Sequence, residues 1–290
     1  MEKAIEVQPV PLKPDLFTNA QPLWSFAGSF GVFGGSTLAH CLMAAHKTVS
    51  EDYVAHSLHC SFISRADPST AIEYQVERTR DGRSFITRTV HAAQQAGLVA
   101  VAIVNFMRVS RDVPSKTDHR GLNHGKKMPA GLIPPESPTI PREAIDASFE
   151  VRRGEALNRI SSDPVTSRLR YWIRTTDPVQ KGNLPAQLAA IAWMSDAYFV
   201  ASAVQVYDAP SRRLDSEIAM VASLDHTIYF HEPNAIRADE WMCSERESPW
   251  AGNDRALVSQ SIWTREGVLV ATCTQEAILR IQKLHAEPKL

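Results

Sequence analysis

The chain has 290 residues, 44% hydrophobic and 22% charged, a globular composition that excludes a disordered or fibrous protein and leaves room for two domains. A formal net charge of -1 and a pI near 6.8 leave no surplus of Lys and Arg for phosphates, so nucleic acid is excluded as a general partner and small molecules are expected. No apolar run of about 18 residues is present, so no membrane span is expected either.

The opening Met-Glu-Lys-Ala-Ile-Glu lacks the apolar stretch of a secretion signal, and an intracellular, soluble protein is expected. Gly28-Ser29-Phe30-Gly31 lacks the spacing of a dinucleotide fingerprint, and there is no Gly-rich phosphate loop or Gly-x-Ser-x-Gly elbow. Gly34-Gly35-Ser36-Thr37-Leu38-Ala39 leads into an apolar helix ending near His46. A strand follows His56-Ser57-Leu58-His59, and Gly97 opens a long apolar strand from Leu98 to Phe106. Six of the 18 prolines then fall between Pro114 and Pro141, among Gly121, Gly125 and Gly131, which marks a linker. Beyond it, Arg168-Leu169-Arg170-Tyr171-Trp172-Ile173-Arg174 alternates like a strand with one wet face. Leu184-Pro185-Ala186 opens a second apolar helix reaching Asp196, Ser223-Leu224-Asp225-His226 leads into a strand, and Gly267 opens the last one, Val268 to Ala277. Cys41, Cys60, Cys243 and Cys273 have no CxxC spacing and lie in apolar stretches, as reduced core thiols do.

The two halves therefore read in the same order. Setting Leu38 against Leu188 places His46 against Asp196; the next blocks place His56 against Ser223, and counting from Gly97 and Gly267 places Asn105 against Gln275. The divisions expected are an N-terminal unit over residues 1–110, a Pro/Gly-rich linker over 111–165 leading into the first strand of the second unit, and a C-terminal unit over 166–290. The element order favours an α+β unit in which an antiparallel sheet wraps a central helix.

Asp196 is surrounded by apolar residues, where a carboxylate is costly unless paired or hydrogen-bonded; it is either a functional group or a structural carboxylate bonded to a neighbouring strand. Strand parity puts Ser223 and Asp225 on one face and His226 on the other, against a local Ser-Asp-His triad. Parity also separates His56 from His59, against a zinc site there. No metal ligand set and no cofactor are expected.

Val32-Phe33-Gly34-Gly35, His56-Ser57-Leu58-His59, Arg80-Asp81-Gly82-Arg83-Ser84-Phe85, Ser195-Asp196, Leu224-Asp225-His226, Asp239-Glu240-Trp241, and Glu266-Gly267-Val268-Leu269-Val270-Ala271 with Gln275-Glu276 together resemble the acyl-CoA thioesterase II family. These blocks run in family order through both halves. The resemblance implies a double hotdog fold and hydrolysis of an acyl-CoA to a free acid and coenzyme A. It also implies a water held jointly by an Asp on the second helix, a hydroxyl on the next strand and a Gln on the last strand, which fall on Asp196, Ser223 and Gln275. The helix start at Gly34 and Gly35 either supplies backbone N-H groups for the oxyanion or is only a tight turn.

Arg80, Arg83 and Arg255 are candidate contacts for coenzyme A phosphates or plain solvated charge. Two other readings stay open: a hotdog hydratase or dehydratase, for which His46 or His56 would have to act, and a non-catalytic acyl-CoA binder. A homo-oligomer is consistent with the fold. The last residues, Pro288-Lys289-Leu290, are one substitution from the Ser-Lys-Leu peroxisomal address, which sets a peroxisomal location against a cytosolic one.

Overall fold

A computed structural model of the chain describes residues 1–26, 31–109, 122–140, 142–146, 148–157, 163–206 and 218–281. Pro288-Lys289-Leu290, Gly28-Ser29-Phe30 and the first part of the Pro/Gly-rich stretch lie outside the described residues.

The first half holds β1 (Val7–Pro9), β2 (Leu16–Asn19), α1 (Gly34–His46), β3 (Tyr53–Phe62), β4 (Glu73–Asp81), β5 (Phe85–Gln94) and β6 (Gly97–Arg108). The second holds β7 (Arg142–Asp146), β8 (Phe149–Leu157), β9 (Arg168–Thr175), α2 (Leu184–Ser195), α3 (Ser202–Gln205), β10 (Ile218–Ser223), β11 (Asp225–Phe230), β12 (Met242–Gly252), β13 (Arg255–Thr264) and β14 (Leu269–Ile281). The strands form one sheet in the order β1-β2-β4-β5-β6-β3-β11-β14-β13-β12-β9-β8-β7, with β10 also paired to β14. The described pairs are antiparallel, and β3 joins β11 with His226 opposite Cys60. The order β4-β5-β6-β3 is thus mirrored across that seam by β12-β13-β14-β11.

The strands β7 and β8 lie inside residues 111–165, so the strands of the second half begin ahead of residue 166. The outer face of β9 is not fully wet: Trp172 is buried with Trp241, Cys243 and Ile140 under Met128, Leu132 and Ile133. The Pro-rich chain closes that face with its carbonyls, accepting from Trp172 Nε1 at Ile133 (2.9 Å) and from Trp263 Nε1 at Lys126 (2.8 Å). Indole N-H groups need such partners when buried.

Pair registers locate the true counterparts of the repeat. Ala93 pairs Leu98 and Ala92 pairs Ala100 in the first half, as Trp263 pairs Leu269 and Ile262 pairs Ala271 in the second. Val104 therefore stands where Gln275 does, and not Asn105, because Gly97 closes its turn one residue nearer the strand than Gly267. Phe106 pairs Ala55 across a bulge at His56, as Ala277 pairs Ser223, so Ala55 is the counterpart of Ser223 and Leu58 that of His226.

The two helices meet in the core at an unusually short distance. A Cβ on Gly35 would lie 2.4 Å from the Trp193 carbonyl oxygen, and one on Gly34 would lie 2.8 Å from Asp196 Oδ2. The start of α1 is thereby pressed against the end of α2. Gly35→Ala is expected to destabilise the protein by about 1–3 kcal/mol through this overlap, despite alanine's better helix propensity; urea unfolding measures it.

Candidate active site

Asp196 caps the C-terminus of α2 in a right-handed conformation, and the chain turns sharply at Tyr198, which has φ 55. The carboxylate thus sits at the negative end of α2, an unfavourable place for an anion. Its Oδ2 faces Gly34, in the first turn of α1, where leading N-H groups have no intrahelical acceptor and the dipole is positive. Only glycine allows this approach: Gly34 and Gly35 admit a close contact with the Asp196 segment.

Gln275 projects from the inner face of β14 and is fully buried. Its Nε2 donates to Asp196 Oδ1 at 2.7 Å and to Ser223 Oγ at 3.0 Å. Asp196, Ser223 and Gln275 therefore converge, drawn from a helix end and two strands, and Asp196 retains little exposure at 9%. Phe62 lies against Gly34, and Trp24, Phe26 and Phe33 pack edge to face nearby, giving the site an aromatic surround.

Sequence parity misplaces one residue. Leu224 falls between β10 and β11, so Ser223 reaches inward to Gln275 while Asp225 accepts from the Glu276 N-H at 2.8 Å. His226 is turned inward and wholly buried, with Nδ1 3.6 Å from Asp196 Oδ1 and Nε2 3.1 Å from Ser195 Oγ. The adjacent Asp225-His226 pair does split across the sheet, as parity requires, but Ser223 and His226 share a face because the alternation restarts at Leu224. The resemblance had included His226 in a block without giving it a part.

A buried polar chain continues beneath the site. Gln260 Nε2 donates to the Ser195 carbonyl at 2.7 Å, Ser244 Oγ donates to Gln260 Oε1 at 2.7 Å, and Arg246 Nε donates to Ser244 Oγ at 3.1 Å. Arg246 also reaches the Ala197 carbonyl at 2.8 Å and lies 4.3 Å over the Tyr171 ring. Burial draws its guanidinium down from the usual value, yet an arginine remains a cation in proteins. It places a positive charge beside the end of α2.

The first half builds no equivalent. His46 occupies the place of Asp196 and packs its ring 4.9 Å from Phe106. The His56 ring lies 5.9 Å from that of Phe85, itself 54% exposed, on the outer face of the sheet. Asn105 points outward as well, donating to Ser57 Oγ and accepting from Thr87 Oγ1. A histidine-based site made from His46 and His56 therefore does not assemble. Arg80 and Arg83 are exposed at the β4–β5 turn, and Arg255 is engaged with Glu276 at 2.8 Å. Among the described residues there is no His/Cys/Asp/Glu cluster suited to a metal, and no helix is long and apolar enough to cross a membrane. The four cysteines are buried free thiols, burial pushing Cys41, Cys243 and Cys273 up to about 12.

Two helices wrapped by mirrored antiparallel sheets, with one carboxylate, hydroxyl and amide cluster at their junction, define a double hotdog protein. Comparison with known proteins agrees. Residues 21–107 match the acyl-CoA thioesterase N-terminal domain and residues 127–279 the acyl-CoA thioesterase C-terminal domain. The chain is 33% identical to human acyl-coenzyme A thioesterase 8, over 97% of this chain and 89% of that protein. It is 25% identical to peroxisomal acyl-coenzyme A thioester hydrolase 1 of Saccharomyces cerevisiae, over 95% of this chain and 93% of that one. The solved acyl-CoA thioesterase II TesB2 from Mycobacterium marinum superposes with a TM-score of 0.76 at 30% identity, covering 98% of each chain. The chain belongs to the acyl-CoA thioesterase II family.

Burial in α1 holds His40 and His46 down at about 4. Their folded values lie below the unfolded value near 6.5, so the unfolded state binds protons first as pH falls. Their contribution is complete above about pH 6.5 and is lost between there and about pH 4, by up to about 3 kcal/mol for each ring. The thermal midpoint should fall across this window, and His46→Leu should fall less steeply; equal slopes would exclude His46 as a source.

Proposed function

We propose that this chain, an acyl-CoA hydrolase by family, cleaves its thioester with a water held by Asp196, Ser223 and Gln275. The observation that carries the reading is the two-way donation of Gln275 Nε2 to Asp196 Oδ1 (2.7 Å) and Ser223 Oγ (3.0 Å). It fixes an acid, a hydroxyl and an amide around one point beside the start of α1. Asp196 takes a proton as the water oxygen bonds to the thioester carbon. Positioning by Ser223 and Gln275 supplies the entropy advantage of a bound nucleophile. The carbonyl oxygen becomes an oxyanion at the N-H groups of Gly34 and Gly35, where fixed dipoles stabilise developing charge. Collapse breaks the carbon–sulfur bond, and the proton on Asp196 passes to the departing thiolate. The products are a free acid and coenzyme A, with no covalent enzyme intermediate.

The expected result is that Asp196→Asn lowers coenzyme A release about 10²–10⁴-fold while acyl-CoA binding persists. Undiminished thiol release by this variant overturns the site. Ser223→Thr, which keeps the hydroxyl, should stay far closer to the parent than Ser223→Ala.

The same reading extends to location. A peroxisomal location is supported by the name of the yeast relative. A fluorescent fusion carrying the chain at its C-terminus should appear in peroxisomes, and a diffuse cytosolic signal counts against this location.

A further inference from the structure

The duplicated unit provides an internal control for which buried polar groups the fold requires. Counting along the pair registers, Leu58 stands where His226 does, Val104 where Gln275 does and Ala55 where Ser223 does. Val90 stands for Gln260 and Val76 for Arg246, and Ala45 falls opposite Ser195 at the end of the preceding helix. These first-half residues are all buried hydrocarbon. Ser244 alone has a polar counterpart there, Tyr74, whose hydroxyl bonds His40 at 3.0 Å; a hotdog unit of this sequence therefore closes its core without the rest of the polar chain. Buried polar groups are costly unless hydrogen-bonded, so their concentration around Asp196 answers a need other than folding.

His226 is a further member of that chain beside the carboxylate. It is 0% exposed and its ring packs 5.6 Å from Phe199, so it has no access to substrate. Its Nε2 lies 3.1 Å from Ser195 Oγ and its Nδ1 3.6 Å from Asp196 Oδ1. The second separation is a charge contact and is too long for a formed hydrogen bond. A neutral ring with its lone pair at Nδ1 would set that lone pair against the carboxylate. Ser195 Oγ has one hydrogen and two acceptors in reach, the Ala192 carbonyl at 3.0 Å and His226 Nε2 at 3.1 Å; the carboxylate beside Nδ1 favours its donation to Nε2, which leaves the ring proton on Nδ1 with the N-H dipole toward Asp196.

We infer that His226 is a positioning residue for the hydrolytic reaction: held by Ser195, it aims an N-H at Asp196 Oδ1, keeps the carboxylate ionised and leaves Oδ2 to act. The inference rests on the site proposed above. Other titratable groups facing this pair are accounted for. Cys60 on β3 is held well above the thiol range by burial, and Cys273 on β14 is pushed up to about 12. Arg246 on β12 stays cationic, and Asp225 is engaged with the Glu276 N-H, away from the ring.

An N-H directed at a carboxylate favours its charged form, so removing it raises the pH at which Asp196 loses its base function. His226→Leu installs the residue the first half already carries at this place. It should lower kcat about ten- to hundredfold, leave KM within about twofold, and move the acid limb of kcat upward by about one pH unit as the N-H dipole facing the carboxylate is lost. His226→Asn, whose amide nitrogen falls near the position of Nδ1, should restore the limb. A His226→Leu enzyme with the parent's kcat and acid limb overturns the inference, as does an Asn variant shifted as far as Leu. Should His226→Leu fail to fold, Ser195→Ala decides: the same upward shift supports the inference, and an unmoved limb defeats it. Asp196→Asn, measured in parallel, separates the two readings. If it is inactive while both His226 variants match the parent, only the positioning role falls; if it retains full thiol release, the site itself falls.

Discussion

The contact between the start of α1 and the end of α2 is the constraint on which the rest of the molecule depends. Gly34 and Gly35 let two helix ends of opposite dipole sign approach to distances that a Cβ would forbid. An anion at the end of α2 would face that helix's own negative end alone; the start of α1 opposes it with a positive one. The carboxylate on one repeat thus lies against the helix start of the other, and neither unit makes this junction by itself.

The two repeats share a fold and divide its uses. In the first, the inner face around the helix end is closed by Ala55, Leu58, Val76, Val90 and Val104, a core that needs no polar partners. In the second, the corresponding ring carries a hydroxyl, a histidine, an arginine and two glutamines, linked by hydrogen bonds of 2.7–3.1 Å. Such a network is stiff when its members are satisfied and expensive when they are not. Several of its atoms, Gln275 Oε1 and Arg246 Nη2 among them, have no hydrogen-bond partner among the described residues, and Gln275 Oε1 belongs to the residue that bridges Asp196 and Ser223.

Much of this was legible in the chain. The repeat, its helices and the antiparallel character followed from apolar periodicity, turn glycines and the Pro-rich stretch, because these patterns reflect local backbone preference. Asp196 stood out for its apolar surroundings, and the family blocks added Ser223 and Gln275. The register was less accessible. Gly97 and Gly267 mark equivalent hairpins, with φ of 125 and 92, but the second turn is one residue longer, and a shift of one on a strand exchanges inner for outer face. Asn105 was set against Gln275 by that shift, and His56 against Ser223 by a block alignment one residue out of register, Ala55 being the counterpart. The interruption at Leu224 had the same effect on Ser223 and His226.

The sequence by itself determined the duplicated α+β architecture and the placement of the polar residues in the second half. Those features follow from composition and from periods of two and 3.6 residues, which act over one element at a time. Only the tertiary structure decided that Gly34 lies against Asp196, that the Pro-rich chain covers Trp172, and that His226 stands behind the carboxylate. Each of these depends on bulges, turn lengths and helix crossings that bring residues distant in sequence within a few ångströms, and side-chain patterns along one strand or helix carry no record of that distance.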